Sequence, residues 1–289
     1  MGKIKLRKAF KDSLRNMYYE SGKGVSKHAV DASDGVQRIH SKETLNTYSK
    51  QADRFANYCY EHNCRYDMEQ ARSLVNPYLQ EMIDSGTSAW TVRTAAAALA
   101  KLYGCSSVDF GVKFPKRERT AVKRSRYAAE RDKHVSQTAN ELLITVARCT
   151  GLRRNELEHL NGTDLINENG RYYIRVGSAA KGGRPRKAMV IADSREMRMI
   201  VKAFQEADRG KVFDHVHSKL DVHSLRAQYA CNAYKLFARP LDKLNKSELY
   251  CCRKDMAGRV YDRQAMQKAS EMLGHNRIDV IANNYLHNL

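Results

Sequence analysis

The chain opens with apolar side chains at helical spacing and then loses that pattern. Leu6, Phe10 and Leu14 recur every fourth residue, and lysines and arginines are frequent between them, which is typical of a helix with one apolar face. Several glycines follow among serine, aspartate and lysine, a composition typical of a mobile link. We therefore predict that residues 1–39 form a short basic amphipathic helix and a mobile linker.

Three apolar stripes at helical spacing follow between residues 40 and 112. The first begins after Ser41, whose hydroxyl can cap a helix. The second contains Pro77, which either kinks the helix or marks where its second half begins. The third opens at Ser88 and ends at Gly104, and it includes a run of four alanines. We predict a small all-helical domain over residues 40–112.

The remaining chain mixes helical and strand patterns. Residues 113–134 are rich in lysine and arginine and poor in apolar residues, which indicates a basic interdomain linker. Beyond them, helical stripes alternate with β-rich runs that predict hairpins around Lys181 and Gly258. We expect residues 135–289 to form a second domain. The predicted fold class is mainly α with small β-hairpins or a small sheet, an α+β arrangement.

The length and charge of the chain narrow its partners. At 289 residues the chain exceeds the usual size of one domain, so two domains with their own cores are expected. Its 51 lysines and arginines against 32 aspartates and glutamates give a net charge of +19. Such an excess favours a polyanion partner, because phosphate neutralisation releases condensed counterions. A basic protein without such a partner is the alternative.

The sequence carries no signal for a membrane, a disulfide framework or a metal. No apolar run approaches the ~20 residues that span a bilayer, and the first residues contain no apolar signal core. Seven cysteines form no CxxC pair and no cysteine–histidine cluster with zinc-ligand spacing. We expect reduced thiols in a cytoplasmic protein with no metal and no cofactor.

Five residues in the second half of the chain stand in short, ordered phrases. Arg153 ends Thr-Gly-Leu-Arg, and His223 and Arg226 share the phrase His-Ser-Leu-Arg. His275 ends Leu-Gly-His, and Tyr285 begins Tyr-Leu-His. Guanidinium groups suit phosphate oxygens because their planar fork donates two hydrogen bonds, and a phenol is a nucleophile once a base takes its proton. The set indicates attack of a phenol on a phosphodiester without a metal.

In their order and spacing these phrases resemble the motifs of the tyrosine recombinases of the phage-integrase family, with an Xer-like two-domain architecture. The resemblance covers roughly residues 40–289. It implies a helical core-binding domain and a catalytic domain that close as a clamp around DNA. It also implies a site-specific recombinase that acts as a homotetramer on two DNA duplexes, in the cytoplasm at the nucleoid and without a cofactor. The resemblance also implies accessory proteins as further partners.

The resemblance also implies a role for each of the five residues. Tyr285 is the nucleophile that forms a 3′-phosphotyrosyl link, and strand exchange then proceeds through a Holliday junction. Arg153 and Arg226 bind the non-bridging phosphate oxygens. His223 is the candidate base, three residues before Arg226 and so on the same helical face. His275 is expected to hydrogen-bond the phosphate.

Other residues complete the expected site. Lys181, before two glycines at the predicted turn, would protonate the leaving 5′-oxygen, and Lys187 is the alternative. Glu156 would orient Arg153 or His223, with an ordinary helix ion pair as the alternative. The basic residues of the linker are expected to lie along a DNA backbone. They are Lys113, Lys116, Arg117, Arg119, Lys123, Arg124 and Arg126.

The chain departs from the family pattern in two places. Only four residues follow Tyr285, whereas many relatives place there a helix that docks into the neighbouring subunit. We expect the N-terminal helix to supply that contact instead, and binding of a separate arm site on DNA is the alternative role for this helix. Arg226 and His275 lie 49 residues apart, a long spacing that we attribute to an insertion at Ser247–Tyr261, which would contact a subunit or DNA. The alternative functions are a type IB topoisomerase and a non-catalytic DNA-binding relative.

Overall fold

The chain folds into two compact units that divide after Arg117. The structure, a computed structural model, describes residues 5–26, 35–122, 124–126, 130–177, 185–275 and 277–289. The described chain is mainly helical with small antiparallel sheets, which confirms the predicted fold class. No helix within these ranges combines the length and the apolar character needed to cross a membrane.

Among the described residues, five α-helices build the first unit. They are α1 Leu6–Tyr19, α2 Lys42–Glu61, α3 Met68–Ser73, α4 Val75–Asp84 and α5 Ala89–Leu102. The hydroxyl of Ser41 caps α2 by accepting from the Thr44 amide at 3.1 Å, as predicted. Pro77 lies in the first turn of α4, where its missing N–H breaks no helical hydrogen bond. The second predicted stripe, Leu74–Ile83, is therefore the single helix α4 with its N-cap, and the short helix α3 before it was not predicted.

The N-terminal helix belongs to the core of this unit. Leu6, Phe10 and Leu14 are fully buried, and the Phe10 ring stacks on that of Phe55 in α2, with 5.8 Å between centroids. The predicted amphipathic helix is thus present but packs into the first unit, because the apolar face of α1 is covered by α2 and α5 of that unit. Because this apolar face is buried within its own unit, it cannot supply the contact between subunits that was predicted for the N-terminal helix. Residues 27–34 of the predicted mobile linker lie outside the described residues.

The second unit combines α-helices with two small antiparallel sheets. Its described helices are α6 Glu141–Thr150, α7 Arg154–Glu158, α8 Ser194–Ala207, α9 Val222–Phe237, α10 Arg263–Met272 and α11 Ile278–Asn284. Its strands are β1 Leu165–Glu168, β2 Arg171–Val176, β3 Arg186–Met189, β4 Leu249–Cys251 and β5 Val260–Asp262. The pairing of β2 with β3 and of β4 with β5 confirms both predicted hairpins. Strand β1 was not predicted, since four residues are too few to reveal an alternating pattern.

Helix α9 joins the two hydrophobic cores of this unit. One core lies around Leu152, Ile174 and Phe204, and α9 contributes Val222 to it. The other core contains most of the remaining buried face of α9 together with residues of α10, α11 and Tyr285. Residues from both cores are therefore held in fixed positions around the beginning of α9, the part of the helix that carries His223 and Arg226.

The predicted basic linker over residues 113–134 is not a separate element. Its residues from 118 onward belong to the second unit. The backbone N–H and the hydroxyl of Ser125 donate to the carboxylate of Asp221 at 3.0 and 2.9 Å. Ser125 adopts a φ of +68° in doing so, a backbone conformation that non-glycine residues seldom adopt. These bonds attach residues 124–126 to the N-terminus of α9.

Candidate active site

Arg226 is a charged side chain buried beneath a cleft of the second unit, with 2% of its surface exposed. Its Nη1 donates to the carbonyl of Gly151, and its Nη2 donates to the carbonyl of Leu273 at 2.6 Å. These carbonyls lie at the C-terminal ends of α6 and α10, where helices carry partial negative charge. Burial lowers the pKa of Arg226 to about 10, which leaves the guanidinium charged at neutral pH.

Two glycines make this packing sterically feasible. Gly151 has a φ of +62°, and a Cβ there would lie 2.3 Å from Cδ1 of Tyr229. Gly274 has a φ of +67°, and a Cβ there would lie 2.8 Å from Cδ of Arg186. Both positions therefore require glycine for backbone conformation and for space. These two requirements explain the glycine in the Thr-Gly-Leu-Arg phrase and the glycine in the Leu-Gly-His phrase.

The hydroxyl of Tyr285 lies where these groups converge. It accepts a hydrogen bond from Nε of Arg226 at 3.2 Å and lies 3.2 Å from Nε2 of His275. The ring of Tyr285 lies near both histidines, with centroid distances of 5.1 Å to His223 and 5.5 Å to His275. Tyr285 directly follows α11, and its amide donates to the carbonyl of Ile281 at 2.9 Å. The side chain is therefore held firmly, and only 4% of the residue is exposed.

The two histidines differ in their relation to the hydroxyl. Partial burial and the positive charge of Arg226 lower the pKa of His223, so its imidazole is neutral at neutral pH and can accept a proton. His275 is the histidine within hydrogen-bond distance of the hydroxyl. Its Nε2 also lies 3.2 Å from Nη2 of Arg226, and because arginine only donates, this nitrogen of His275 is an acceptor.

Arg153 lies at the N-terminus of α7 and shares a carboxylate partner, Glu156, with a second arginine. Its Nη1 donates to Oε1 of Glu156 at 2.8 Å, and its amide donates to Oε2 at 2.7 Å. Arg186 donates to the same two oxygens at 2.8 and 2.7 Å. Burial alone would raise the pKa of Glu156, but the bonds from Arg186 and Arg153 lower it to about 2. The carboxylate thus contacts Arg153, one of its two expected partners, and not His223.

The neighbouring Arg154 serves a different purpose. Its guanidinium donates to the carbonyls of Val216, His217 and Leu220 at distances between 2.8 and 3.1 Å. These bonds hold the loop that precedes α9. The two adjacent arginines therefore have different partners. Arg153 donates hydrogen bonds to the carboxylate of Glu156, whereas Arg154 donates to backbone carbonyls.

All five residues of the ordered phrases line one open cleft of about 750 Å³. Arg124 and Arg277 add positive charge to its walls. The cleft therefore offers several cationic donors around one phenol. Within the described ranges no group of three or more histidine, cysteine, aspartate or glutamate side chains is arranged to hold a metal ion. Lys181 lies outside the described residues. The alternative, Lys187, pairs with Glu168 across the sheet at 2.6 Å.

The predicted DNA-binding residues fall into two groups. Lys113, Lys116 and Arg117 are exposed, and Lys123 lies outside the described residues. Arg119, Arg124 and Arg126 are half-buried. Nη2 of Arg126 donates to the carbonyl of Asn283 at 3.2 Å, and Nε of Arg124 lies 3.5 Å from the carboxylate of Asp221. These two arginines therefore brace α11 and the start of α9, a role that the predicted strap along DNA did not include.

Several of these supporting residues were not predicted from the sequence. Asp221 caps α9 by accepting from the Ser224 amide at 3.1 Å, and an aspartate directly before a helical stripe is a recognisable capping signal. Arg186 was one of four basic residues near the predicted turn, and the sequence offers no signal that distinguishes it. Its role depends on a carboxylate 30 residues away.

The predicted insertion at Ser247–Tyr261 contacts the residues that follow Tyr285. The hydroxyl of Tyr261 donates to the carbonyl of Leu286 at 3.1 Å. Nη1 of Arg259 donates to the carbonyls of His287 and Leu289, both at 3.2 Å. The β4–β5 hairpin thus packs against this segment within the same chain.

Comparison with known proteins adds evidence about the fold. No protein-family model matches the chain, and no curated protein matches it by sequence. Among solved structures, the chain is similar to the XerH site-specific recombinase bound to palindromic difH substrate in a post-cleavage complex. The TM-score is 0.53 at 14% identity, covering 96% of this chain and 89% of that chain. A pre-cleavage complex of XerH with difH gives a TM-score of 0.52 at 14% identity, covering 98% and 92%. The chain therefore has the tyrosine recombinase fold.

Proposed function

We propose that the protein is a site-specific DNA recombinase whose Tyr285 cleaves one DNA strand at a time. The observation that carries this proposal is the position of the Tyr285 hydroxyl, 3.2 Å from both Nε of Arg226 and Nε2 of His275. A phenol among cationic donors, in a fold shared with recombinases solved on DNA, matches the needs of phosphodiester cleavage.

The proposed cleavage exchanges one ester bond for another. The hydroxyl oxygen of Tyr285 forms a bond to the scissile phosphorus, and the bond from phosphorus to the 5′-oxygen breaks. The phenolic proton passes to a histidine, and the leaving 5′-oxygen takes a proton, for which Lys181 is the candidate donor by family resemblance. The resulting 3′-phosphotyrosyl link conserves the ester bond, so that a 5′-hydroxyl of a second duplex can reverse the step.

The arginines and histidines then have separate tasks. Arg153 and Arg226 would stabilise negative charge on the non-bridging oxygens of the pentacovalent transition state. His223, neutral because of its lowered pKa, is proposed as the base for the tyrosine proton. His275, the neighbour of the hydroxyl, would contact the phosphate and is the rival candidate for the base.

The larger assembly is part of the same proposal. Pairwise cleavage in a homotetramer on two double-stranded DNA duplexes would produce a Holliday junction and then recombinants, as in integration or excision of mobile DNA. A clamp formed around DNA, a nucleoid location and accessory proteins are further expectations that come from the family resemblance. The net charge of +19 supports a DNA partner.

Covalent trapping tests the proposal. Purified protein is mixed with nicked duplexes drawn from the DNA that flanks its coding sequence, because a nick lets the short 5′-hydroxyl strand diffuse away and prevents religation. The mixture is quenched in SDS and separated by electrophoresis. We expect a DNA-linked protein band with the wild-type chain and none with Tyr285→Phe, which keeps the ring and removes only the nucleophile.

Tyr250→Phe is the matched control, since Tyr250 is a half-buried tyrosine of the same unit outside the cleft. It should retain the band. Tight DNA binding without an adduct on any flanking duplex would favour the non-catalytic relative. Relaxation of supercoiled DNA without strand exchange between duplexes would favour the topoisomerase.

A further inference from the structure

A buried arginine outside the cleft completes the charge balance of the candidate site. The side chain of Arg186 is 8% exposed, and that of Glu156 is 1% exposed. Their two-pronged contact places one guanidinium against both carboxylate oxygens, the geometry that makes this pair strong. Arg153 shares the same two oxygens. Glu156 is therefore a buried anion between two cations.

This arrangement decides how much charge Arg153 presents to a ligand. If Glu156 contacted Arg153 alone, the two charges would cancel as seen from the cleft. The second cation, Arg186, leaves the group of three with a net charge of +1. Because a buried ion without full compensation is costly, Arg186 also keeps the carboxylate ionised, consistent with the lowered pKa of Glu156.

Arg186 also links the two motifs that flank the cleft. Its Nε donates to the carbonyl of Met272 at 3.2 Å, and its Cδ fills the space left by the missing side chain of Gly274. Met272 and Gly274 lie three residues and one residue before His275. Arg186 thus contacts both Glu156, which binds Arg153, and the turn that precedes His275.

We propose that Arg186 is a positioning residue that neutralises Glu156, so that Arg153 keeps its full charge for a phosphate in the cleft. This inference rests on the proposed function, because it assumes that Arg153 binds phosphate. Arg186 itself lies outside the residues that line the cleft, and it acts through Glu156.

Substitutions that change the charge of this group separate charge balance from simple structural support. Arg186→Gln gives the group a net charge of zero. Adding Glu156→Gln to it restores +1, and Glu156→Gln alone gives +2. A glutamine at position 156 keeps one side-chain oxygen that can accept from Arg153. A purely structural role predicts that the two substitutions together are at least as harmful as either alone.

The probe is inorganic phosphate, titrated into the full-length protein labelled with ¹⁵N-arginine and followed by NMR at the arginine Nε–Hε resonances. We expect Arg186→Gln to weaken phosphate binding at Arg153 by roughly fivefold, the scale of one unit charge at intermediate distance. The double variant should return to within about twofold of the wild-type protein. Glu156→Gln alone should bind phosphate more tightly than the wild-type protein.

Arg239→Gln is the matched control. Arg239 also makes a two-pronged contact, with Asp262, but it lies outside the cleft, so its loss should leave phosphate binding unchanged. A double variant that binds no better than Arg186→Gln would overturn the inference. If Arg186→Gln does not fold, Glu156→Gln decides alone, since unchanged or weaker binding contradicts charge balance. A wild-type protein without any phosphate response at Arg153 would overturn the anion site, and with it both the proposed function and this inference.

Discussion

At the scale of single residues, the site depends on charges buried among compensating groups. Arg226 is stabilised by the C-terminal carbonyls of two helices, and Glu156 by two guanidinium groups. The sequence phrases identified the residues of the cleft because glycine, arginine and histidine seldom fall in that order and at those spacings by chance. They could not identify Arg186, because its importance comes from a carboxylate that approaches it only in the folded chain.

The buried carboxylate predicts a specific loss of stability in acid. The pKa of Glu156 is lowered from 4.5 to about 2, so its contribution to the free energy of unfolding is full above pH 4.5 and is lost as the pH falls toward 2. Between pH 6 and pH 3 this single group should account for about 2 kcal/mol.

Urea unfolding at the two pH values measures this contribution. The decrease from pH 6 to pH 3 should be about 2 kcal/mol smaller for Glu156→Gln than for the wild-type protein. Glu206→Gln is the control, since Glu206 is an exposed carboxylate and its removal should leave the decrease unchanged. An equal decrease in all three proteins would contradict the assigned ion triad.

The pH profile of cleavage distinguishes the two histidines. Because the pKa of His223 is lowered, its base form should persist down to below pH 6.5, and the single-turnover rate of adduct formation should fall only below that pH. His223→Gln should lower the rate by about 10²-fold and remove the fall on the acid side.

His159→Gln is the control for that experiment, since His159 is an exposed histidine of the same unit and its loss should not change the profile. If the fall on the acid side survives in His223→Gln and disappears in His275→Asn, the base is His275. That result would contradict the role assigned to His223.

At the scale of secondary-structure elements, the sequence predicted helices and hairpins well and their tertiary roles poorly. Helical stripes located α8 and α9, and β-rich runs located the β4–β5 pair. The pattern of α1 correctly predicted a helix with an apolar face, but periodicity does not say what covers that face. In the same way, the long spacing between Arg226 and His275 predicted an insertion at Ser247–Tyr261. The spacing did not predict that this segment contacts residues 286–289.

Removing the Phe10 side chain tests the place of α1. Phe10→Ala should lower the free energy of unfolding of the first unit by about 3–5 kcal/mol, as expected for a fully buried aromatic ring. Thermal or urea unfolding measures the change. Arg15→Ala, on the exposed side of the same helix, should change stability by less than about 0.5 kcal/mol. Equal, small effects of both substitutions would mean that α1 does not belong to the core.

The β4–β5 hairpin should restrain the segment after Tyr285. Arg259→Ala removes two hydrogen bonds to carbonyls of that segment, so the amides of residues 286–289 should exchange with deuterium several-fold faster. Arg253→Ala, an exposed arginine of the same hairpin, is the control and should leave exchange unchanged. No difference between the two variants would mean that the observed bonds contribute no restraint.

At the scale of the whole molecule, the composition favours a polyanion partner, since the net charge is +19. The likeness to XerH shows the fold, and duplex DNA as the partner is part of the proposed function. What the sequence could not supply was the division of the chain after Arg117 and the attachment of residues 124–126 to α9. Both depend on contacts between residues far apart in the chain.

The central claim is that Tyr285 forms a covalent 3′-phosphotyrosyl bond with DNA. The most direct test is mass spectrometry of the trapped adduct after nuclease and protease digestion, combined with labelling of the released strand end. We predict a nucleotide joined through its 3′-phosphate to the peptide that contains Tyr285. We also predict a free 5′-hydroxyl that polynucleotide kinase can phosphorylate directly. A nucleotide attached to another residue, or a strand end that carries a 5′-phosphate, would contradict this claim.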